Sequence, residues 1–350
     1  MNILSADTST RGVGMRDLDI EQTVALNVFP EYEEGKRGIT DKDRIIAQKF
    51  KVPDIALGLI DFFFTDEDQD FIASLPGEEF DGAAVSPGYI ADAFSRGIIS
   101  EAEERSRFRL NDFYGMLDIF SISQTERYHS LSRQTRRMLD DWYFDSYVKS
   151  LDADLHVRPT ADKVLTLDEM LEFIDDLPEP LYWAYCDCKS LCGDCGLPSH
   201  TCISFTAGIN SYYSRGVSET ITRDEAKDII RKADDAGLVH TVSSHGICNC
   251  CDDCCYLFRA QRVRQSVGFW PESPHIVDYD ADKCISCGKC ITRCHFGVFE
   301  KRTEEGRTVI CTDTTRCIGC ALCVQTCPVN ALSVADRSRT QMQIAGVRGQ

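Results

Sequence analysis

The first 185 residues of this 350-residue chain contain no cysteine, although the chain has nineteen in all. The cysteines lie in its second half, mostly at spacings typical of metal ligands rather than of a disulfide scaffold. This distribution favours a reducing compartment, and we expect a cytoplasmic protein.

Several motifs of common enzymes and membrane proteins are also missing. The chain has no Gly-x-Gly-x-x-Gly fingerprint, no P-loop and no evident Ser–His–Asp or paired-carboxylate constellation. No apolar stretch approaches the roughly 20 residues of a membrane helix. Its first residues lack the basic and apolar regions of a signal peptide. We therefore expect a protein without a membrane span and without substrate chemistry of its own.

Positive charge is scarce, since 38 Lys and Arg residues face 56 Asp and Glu residues, for a formal net charge of −18. Most of such a surface repels nucleic acid. The charge therefore predicts no nucleic-acid partner, and it favours docking to a basic protein face.

Two cysteine runs near the C-terminus have the spacing Cys-x2-Cys-x2-Cys-x3-Cys, which is typical of [4Fe–4S] clusters. Three thiolates of each run surround one cluster, and in two-cluster ferredoxins the fourth ligand comes from the other run. Zinc and disulfides are the alternatives. The predicted ligand sets are Cys284, Cys287, Cys290 and Cys327 for one cluster, and Cys317, Cys320, Cys323 and Cys294 for the other.

On these residues, the segment from about Asp278 to Val334 resembles the bacterial-type two-[4Fe–4S] ferredoxin domain. His295 and Phe296 follow Cys294 where that family usually has proline, so the turn there is expected to differ. The 22 residues between the runs predict a hairpin, with strands over 298–303 and 307–311. Cys311 belongs to neither run, and we interpret it as a structural residue of that hairpin.

A second cysteine-rich region, from residue 185 to residue 255, carries five cysteines on each side of a predicted helix that begins after Thr222. Thiols this dense predict metal binding. Cys195 is the weakest candidate ligand, and His200 and His245 are expected to lie beside the site rather than in it. The other candidates are Cys186, Cys188, Cys192 and Cys202 before the helix, and Cys248, Cys250, Cys251, Cys254 and Cys255 after it.

The identity of the central metal stays open between one or two further [4Fe–4S] clusters and zinc. Both use thiolates at such spacings. A chain with two clusters gains a longer electron path from a third, whereas zinc would add only stability. The two residues of a pair such as Cys250 and Cys251 point in different directions, so each could serve a different centre.

The rest of the chain predicts an α+β protein with a helical front. We expect a winged-helix-like module with a helix opening at Ser86 and strands over 105–110 and 116–122. Between Asp54 and Glu104 there are thirteen acidic residues and one basic residue, which argues against DNA binding. Aromatic residues around Trp142 predict a core or a partner surface. The expected divisions are an arm (1–52), the winged-helix-like module (53–122), the helical and cysteine-rich region (123–277), the ferredoxin domain (278–334) and a tail (335–350).

The layout from about residue 50 to residue 330 also resembles a broader group of winged-helix and ferredoxin-domain proteins of anaerobes. The resemblance rests on the front, the terminal ferredoxin and the segments Gly237-Leu-Val-His240 and Ile247-Cys-Asn-Cys-Cys251. It implies a non-catalytic electron-transfer subunit of an oxidoreductase complex. Such a subunit relays electrons between a low-potential donor and a larger enzyme with a flavin, Mo/W or Fe–S site. The alternative is an iron–sulfur redox-sensing winged-helix regulator.

Overall fold

The computed structural model describes residues 38–104, 106–151, 161–193 and 195–337. These residues form an α+β protein with a helical front, a cysteine-rich middle built on a six-stranded sheet, and a small C-terminal α+β part. Among the described residues, no helix is long and apolar enough to cross a membrane.

The front consists of short helices around an aromatic core, with a small antiparallel sheet of strand order β1-β3-β2 at its side. Phe63 lies at the centre of the core, and its ring meets the rings of Phe113 and Phe120 edge-on at 5.1 and 5.0 Å. The helices are α1 (Asp41–Phe50), α2 (Ile60–Phe63), α3 (Asp66–Ser74), α4 (Pro87–Ser95), α5 (Phe113–Ser123), α6 (Thr125–His129) and α7 (Arg133–Ser150). The strands are β1 (Glu79–Asp81), β2 (Ile99–Glu101) and β3 (Arg107–Leu110).

The predicted helix after Ser86 is confirmed as α4, but the strand predicted over residues 116–122 is wrong. That segment belongs to α5, whose first turn is capped by the Asp112 side chain. α5 is apolar on most of its surface because it is buried on most sides, so its sequence lacks a helical period. The hairpin partner of β3 is β2, with Ile99 opposite Leu110. The winged helix itself stays a prediction.

The N-terminal arm was predicted over residues 1–52, and residues 1–37 lie outside the described part. Residues 41–50 form α1, which begins at a capping box on Thr40. Ile46 and Phe50 of this helix are fully buried in the front core. The end of the predicted arm is therefore an integral part of the front.

A buried ion pair between Asp68 and Arg96 joins α3 to the end of α4. The guanidinium donates to both carboxylate oxygens at 2.8 and 2.9 Å. Tyr89 donates to the same carboxylate at 3.1 Å, and the Thr65 backbone N–H does so at 2.8 Å. Burial raises the pKa of Asp68, but the hydrogen bonds and charge of Arg96 outweigh it and hold that pKa below its ordinary value.

The middle is built on an antiparallel sheet of strand order β4-β8-β9-β6-β5-β7. Its core packs against two amphipathic helices that begin at capping boxes on Thr166 and Thr222, the second of which is predicted above from the sequence. The strands are β4 (Lys163–Leu165), β5 (Leu181–Ala184), β6 (Cys202–Ser204), β7 (Ser218–Ile221), β8 (Val239–Val242) and β9 (Gly246–Cys250). The helices are α8 (Leu167–Asp175), α9 (Asp187–Cys192), α10 (Arg223–Asp235) and α11 (Tyr256–Arg264).

In the C-terminal part, strands from its two ends pair, with Val277 opposite Val334. The predicted hairpin is confirmed, with Phe299 opposite Thr312 and a turn at Glu305-Gly306. The strands are β10 (His275–Tyr279), β11 (Phe299–Glu304), β12 (Arg307–Thr312) and β13 (Leu332–Asp336), and the helices are α12 (Lys289–Arg293) and α13 (Leu322–Thr326).

Polar contacts and aromatic stacking fasten the front to the middle. Arg259 of α11 donates to Asp140 of α7 at 2.8 Å, and Tyr256 donates to the same carboxylate at 2.8 Å. The predicted aromatic cluster around Trp142 is core: Tyr143 stacks on Tyr114 at 4.2 Å and on Tyr256 at 5.1 Å. The aromatic face of α7 is therefore used within the chain.

We expect Asp68→Asn to lower the free energy of unfolding by about 3 kcal/mol, because it leaves the buried Arg96 with the largely exposed Asp92 as its remaining counter-charge. Asparagine keeps an acceptor for the helix cap, so the loss reports mainly on the ion pair. Denaturant unfolding of the anaerobically purified protein measures it.

Asp70→Asn is the matched control for this prediction. Asp70 also lies on α3, but its side chain is 77% exposed and pairs only with Lys42 among the ion pairs of the described residues. Its loss should change the free energy of unfolding by less than about 1 kcal/mol. Equal effects of the two substitutions would contradict the role given to Asp68.

Candidate metal centres

Four cysteines of the C-terminal part line one small enclosed cavity of about 20 Å³: Cys294, Cys317, Cys320 and Cys323. Three come from the second run and Cys294 from the first. The thiols act on one another electrostatically, since the charges of Cys317 and Cys294 add to burial in raising the pKa of Cys320 to about 12. The structure therefore brings together the crossed set predicted from the sequence.

Backbone groups fix the loop that carries Cys317. Its sulfur accepts the N–H groups of Val277 and Gly319, each at 3.4 Å. The buried Arg337 donates to its carbonyl oxygen and, at 3.0 Å, to that of Ser273. N–H donors at a thiolate stabilise its negative charge and so tune a bound cluster.

The other predicted set, Cys284, Cys287, Cys290 and Cys327, lies nearer the surface. Cys287 is exposed, and the side chain of the neighbouring Ile285 is 60% exposed. Cys327 lies in an apolar cluster with cysteines of both predicted sets, and its sulfur accepts the N–H of Ala331 at 3.2 Å. The two runs thus differ in depth.

The residues that replace proline after Cys294 connect this part to the middle. Phe296 meets Phe258 of α11 edge-on at 5.1 Å. His295 lies against Gly237, where an added Cβ would be 3.1 Å from its Nε2 atom. Cys311 lies on β12 in the hairpin, with its sulfur 3.9 Å from a Glu304 oxygen. His295 and Phe296, which depart from the ferredoxin pattern, therefore lie at the contact between the C-terminal part and the middle.

Six cysteines of the middle form what we call the thiol ring. Each thiol lies close enough to two others to shift their pKa values, so that the six form a closed ring. In order around the ring they are Cys186, Cys202, Cys248, Cys250, Cys255 and Cys188. Cys248 and Cys250 belong to the same strand at positions i and i+2, and hence share one face of β9.

All ring cysteines except Cys202 line a cavity of about 270 Å³, which Tyr114, Tyr143 and Tyr147 also line. The ammonium group of the buried Lys189 donates to the Asn249 carbonyl at 2.6 Å. Burial lowers the pKa of Lys189, but the thiolates around it, led by Cys186, outweigh that and raise it above its ordinary value. Lys189 thus places a positive charge where several thiolates meet.

The remaining cysteines form a second cluster, the four-thiol group of Cys192, Cys195, Cys251 and Cys254. The ligand atoms of Cys195, Cys251 and Cys254, with a carboxylate oxygen of Asp253, lie within 4.8 Å of one another. The Cys192 thiol contacts that of Cys254. Contacts with Cys251 and Cys254 lower the pKa of Cys195 to about 4, which favours its thiolate.

Grouping by position along the chain therefore fails for the central cysteines. Each cluster takes residues from both sides of α10, and Cys195, the weakest candidate from sequence, lies inside one. Cys192 lies in the four-thiol group, apart from Cys186, Cys188 and Cys202 with which the sequence grouped it. The adjacent cysteine pairs of the sequence already indicated this division between two centres. Cys250 and Cys255 belong to the thiol ring, whereas their neighbours Cys251 and Cys254 belong to the four-thiol group.

Both histidines beside these loops lie where the sequence placed them, outside the two clusters. His200 is stacked between Trp183 at 3.6 Å and Tyr185 at 4.1 Å. His245 is exposed at the turn between β8 and β9.

We expect Cys294→Ser to remove the cluster held by the 317–323 run and to spare the one held by its own run. The reason is the cavity that Cys294 shares with Cys317, Cys320 and Cys323. Iron content and electron paramagnetic resonance of the reduced protein measure this. Loss of the 284–290 cluster instead would refute the crossed ligand set.

Gly319→Ala should also disrupt the 317–323 cluster. Gly319 has φ +72°, and a Cβ there would lie 2.3 Å from the His275 carbonyl oxygen. Gly306→Ala is the matched control, since Gly306 has φ +77° with nothing within 4 Å of its Cβ position. The control should cost about 1–2 kcal/mol of backbone strain and no iron. Equal iron content in the two variants would contradict the conclusion that the loop carrying Cys317 is held in one fixed position.

Comparison with known proteins agrees with the C-terminal part. Residues 278–334 match the family described as a 4Fe-4S dicluster domain. No curated protein matches the chain. The chain therefore carries a C-terminal 4Fe-4S dicluster domain, which implies two [4Fe–4S] clusters and suggests iron–sulfur electron transfer.

Proposed function

We propose that this protein is an electron-transfer subunit that links a partner oxidoreductase to a redox centre in its own interior. The observation that carries the proposal is the apolar core shared by the buried cysteine run of the dicluster domain and the thiol ring. When bound, [4Fe–4S] clusters accept and donate single electrons. The chain supplies the cysteine ligands, sets the spacing between the clusters, and separates them from water with apolar side chains.

The buried cysteine run and the thiol ring meet at an apolar junction. Ile318 and Leu322, from the buried cysteine run, share one core with Cys250, Cys255 and Phe258 of the middle. The cysteine sets thus follow one another from the exposed Cys287, through the 317–323 run, to the thiol ring. Apolar side chains between them exclude water, which keeps a redox route separate from solvent.

The thiol ring fits an iron–sulfur centre by its donor set and its space. A single metal ion does not use six thiolates, and a cavity of about 270 Å³ borders five of them. Lys189 offsets part of the negative charge that thiolates bring into a buried site. The proposal therefore assigns Cys186, Cys188, Cys202, Cys248, Cys250 and Cys255 to a third redox centre.

The proposed partner is a larger redox enzyme with a flavin, Mo/W or Fe–S site, in the cytoplasm. The face of this protein that docks the partner includes the surroundings of Cys287, where Ile285 exposes an apolar side chain beside the outermost cysteines. Interfaces favour such apolar positions near their centre. The acidic front, without cysteines of its own, offers a second face that attracts a basic partner.

The alternative, a redox-sensing DNA regulator, is disfavoured by the position of Arg96. It is the only basic residue between Asp54 and Glu104, and it is 4% exposed and bound to Asp68. α4 therefore offers no exposed arginine or lysine to DNA phosphates. This supports electron transfer over regulation.

Anaerobically purified protein is expected to contain clearly more iron than the roughly eight atoms of two cubanes. Cys202→Ser should lower the iron content, because the substitution opens the thiol ring. Cys311→Ser is the matched control, since Cys311 belongs to none of the cysteine sets. Eight irons per chain in all three proteins would refute a third iron–sulfur centre.

In anaerobic extract of the native cell, most of the protein is expected to migrate at a mass well above 39.3 kDa, together with a redox enzyme. Size-exclusion chromatography followed by mass spectrometry tests this. Recovery as a free monomer with reductase activity of its own would overturn both the subunit assignment and the non-catalytic one.

A further inference from the structure

The four-thiol group differs from every other cysteine set of the described residues in how closely its sulfurs approach one another. Three sulfurs, of Cys195, Cys251 and Cys254, lie within 4.8 Å of one another, and Cys192 packs against the apolar cluster that contains Cys251 and Cys254. Ligands of a tetrahedral zinc ion lie about 3.8 Å apart, given Zn–S bonds of about 2.3 Å. The four-thiol group thus approaches the dimensions of a single-ion site.

The cysteines of the dicluster domain provide an internal reference. Each thiolate of a cubane binds a different iron at its own corner, so these sulfurs stand further apart than the ligands of one ion. Among the described residues, no three ligand atoms of residues 278–334 lie within 4.8 Å of one another. In the thiol ring, the sulfurs of Cys186 and Cys188 and a carboxylate oxygen of Asp187 lie within 4.8 Å of one another, but no three of its sulfurs do. The four-thiol group is therefore too contracted for a cubane by the standard of this chain.

The surroundings of the four-thiol group also separate it from the redox route. Its cysteines form an apolar cluster of their own with Ala233, Leu197 and Leu238. The apolar junction with the buried cysteine run contains residues of the thiol ring instead. Of the four cysteines, Cys251 alone reaches the wall of the 270 Å³ cavity. The space for a polynuclear cluster therefore lies beside the thiol ring and not beside the four-thiol group.

We infer that Cys192, Cys195, Cys251 and Cys254 bind one structural zinc ion. Four thiolates in a closed site without an open position are typical of structural zinc. Asp253 is the competing fourth ligand, but its side chain is exposed and accepts the Cys254 N–H at 2.8 Å. Cys192 instead lies in the apolar cluster with the other three. The inference does not depend on the proposed electron-transfer function.

The zinc ion would fasten two loops that also supply the thiol ring. Cys192 ends α9, which begins beside Cys186 and carries Cys188. Cys251 and Cys254 lie directly between Cys250 and Cys255. A bond from one loop to the other through zinc therefore holds four ring cysteines in place. This makes the ion a positioning element for the redox centre.

The first test uses the intact protein, purified anaerobically. Metal analysis should give one zinc per chain besides the iron, and zinc-edge X-ray absorption should give four sulfur ligands at about 2.3 Å. This measurement needs no variant and so does not depend on folding of a mutant. Absence of zinc, or zinc bound mainly by nitrogen or oxygen, would overturn the inference.

Three variants assign the ligands. Cys192→Ser should reduce the zinc-bound sulfurs from four to three or release the zinc, whereas Asp253→Asn should retain all four. Cys202→Ser, the ring control, should keep its zinc while it loses iron. If Asp253→Asn releases zinc and Cys192→Ser does not, the fourth ligand assigned here is wrong.

The two proposals fail in different ways. One zinc per chain with only eight irons would preserve the zinc site and refute the third redox centre. More than eight irons without zinc would do the reverse, and loss of about four irons in a Cys254→Ser variant would show a cubane in the four-thiol group.

Discussion

The segment from Cys248 to Cys255 imposes the main constraint on the middle of this protein, because five cysteines in eight residues must reach two separate centres. Strand β9 places Cys248 and Cys250 on one face, so Cys251, the first residue after it, points away. The turn then brings Cys254 back beside Cys251, and Cys255 leads into α11 on the side of the ring. The remaining cysteines of both centres come from the loop around α9. The sheet and α10 hold these two loops against each other.

The same constraint explains the placement of the scarce cations. Thiolates gathered in an apolar interior repel one another unless metal ions or cations offset their charge. Lys189 lies among the ring cysteines, and Arg259 is bound to Asp140. Gly193 has no side chain, and a Cβ there would meet the Arg136 guanidinium at 2.6 Å. Arg136 of α7 thus lies beside Gly193, the residue that follows Cys192 of the four-thiol group.

Much of this arrangement could be predicted from the sequence, where local chemistry decides. Residue types at fixed spacings predict the capping boxes at Thr166 and Thr222, the hairpin over 299–312 and the approach of Cys294 to the second run. The strand expected over 116–122 was wrong, because α5 is buried on most sides and shows no period. The sequence did not predict how the central cysteines divide between the thiol ring and the four-thiol group. Contacts between residues about 60 positions apart determine this division, and spacing along the chain does not predict such contacts. Cys195 and Cys202, seven residues apart, lie in different centres.

The front half acquires a function from these contacts even though it has no cysteine. α5 and α7 lie against α9, and Tyr256 of α11 stacks on Tyr143 while its hydroxyl is held by Asp140. Tyr114 and Tyr143 then form the wall of the cavity that borders the thiol ring. The front therefore supplies aromatic side chains to the cavity that ring cysteines also line. Thiolates open to water would exchange protons and metal ions with it. The front thereby shields part of the thiol ring from solvent, whether or not it also docks a partner.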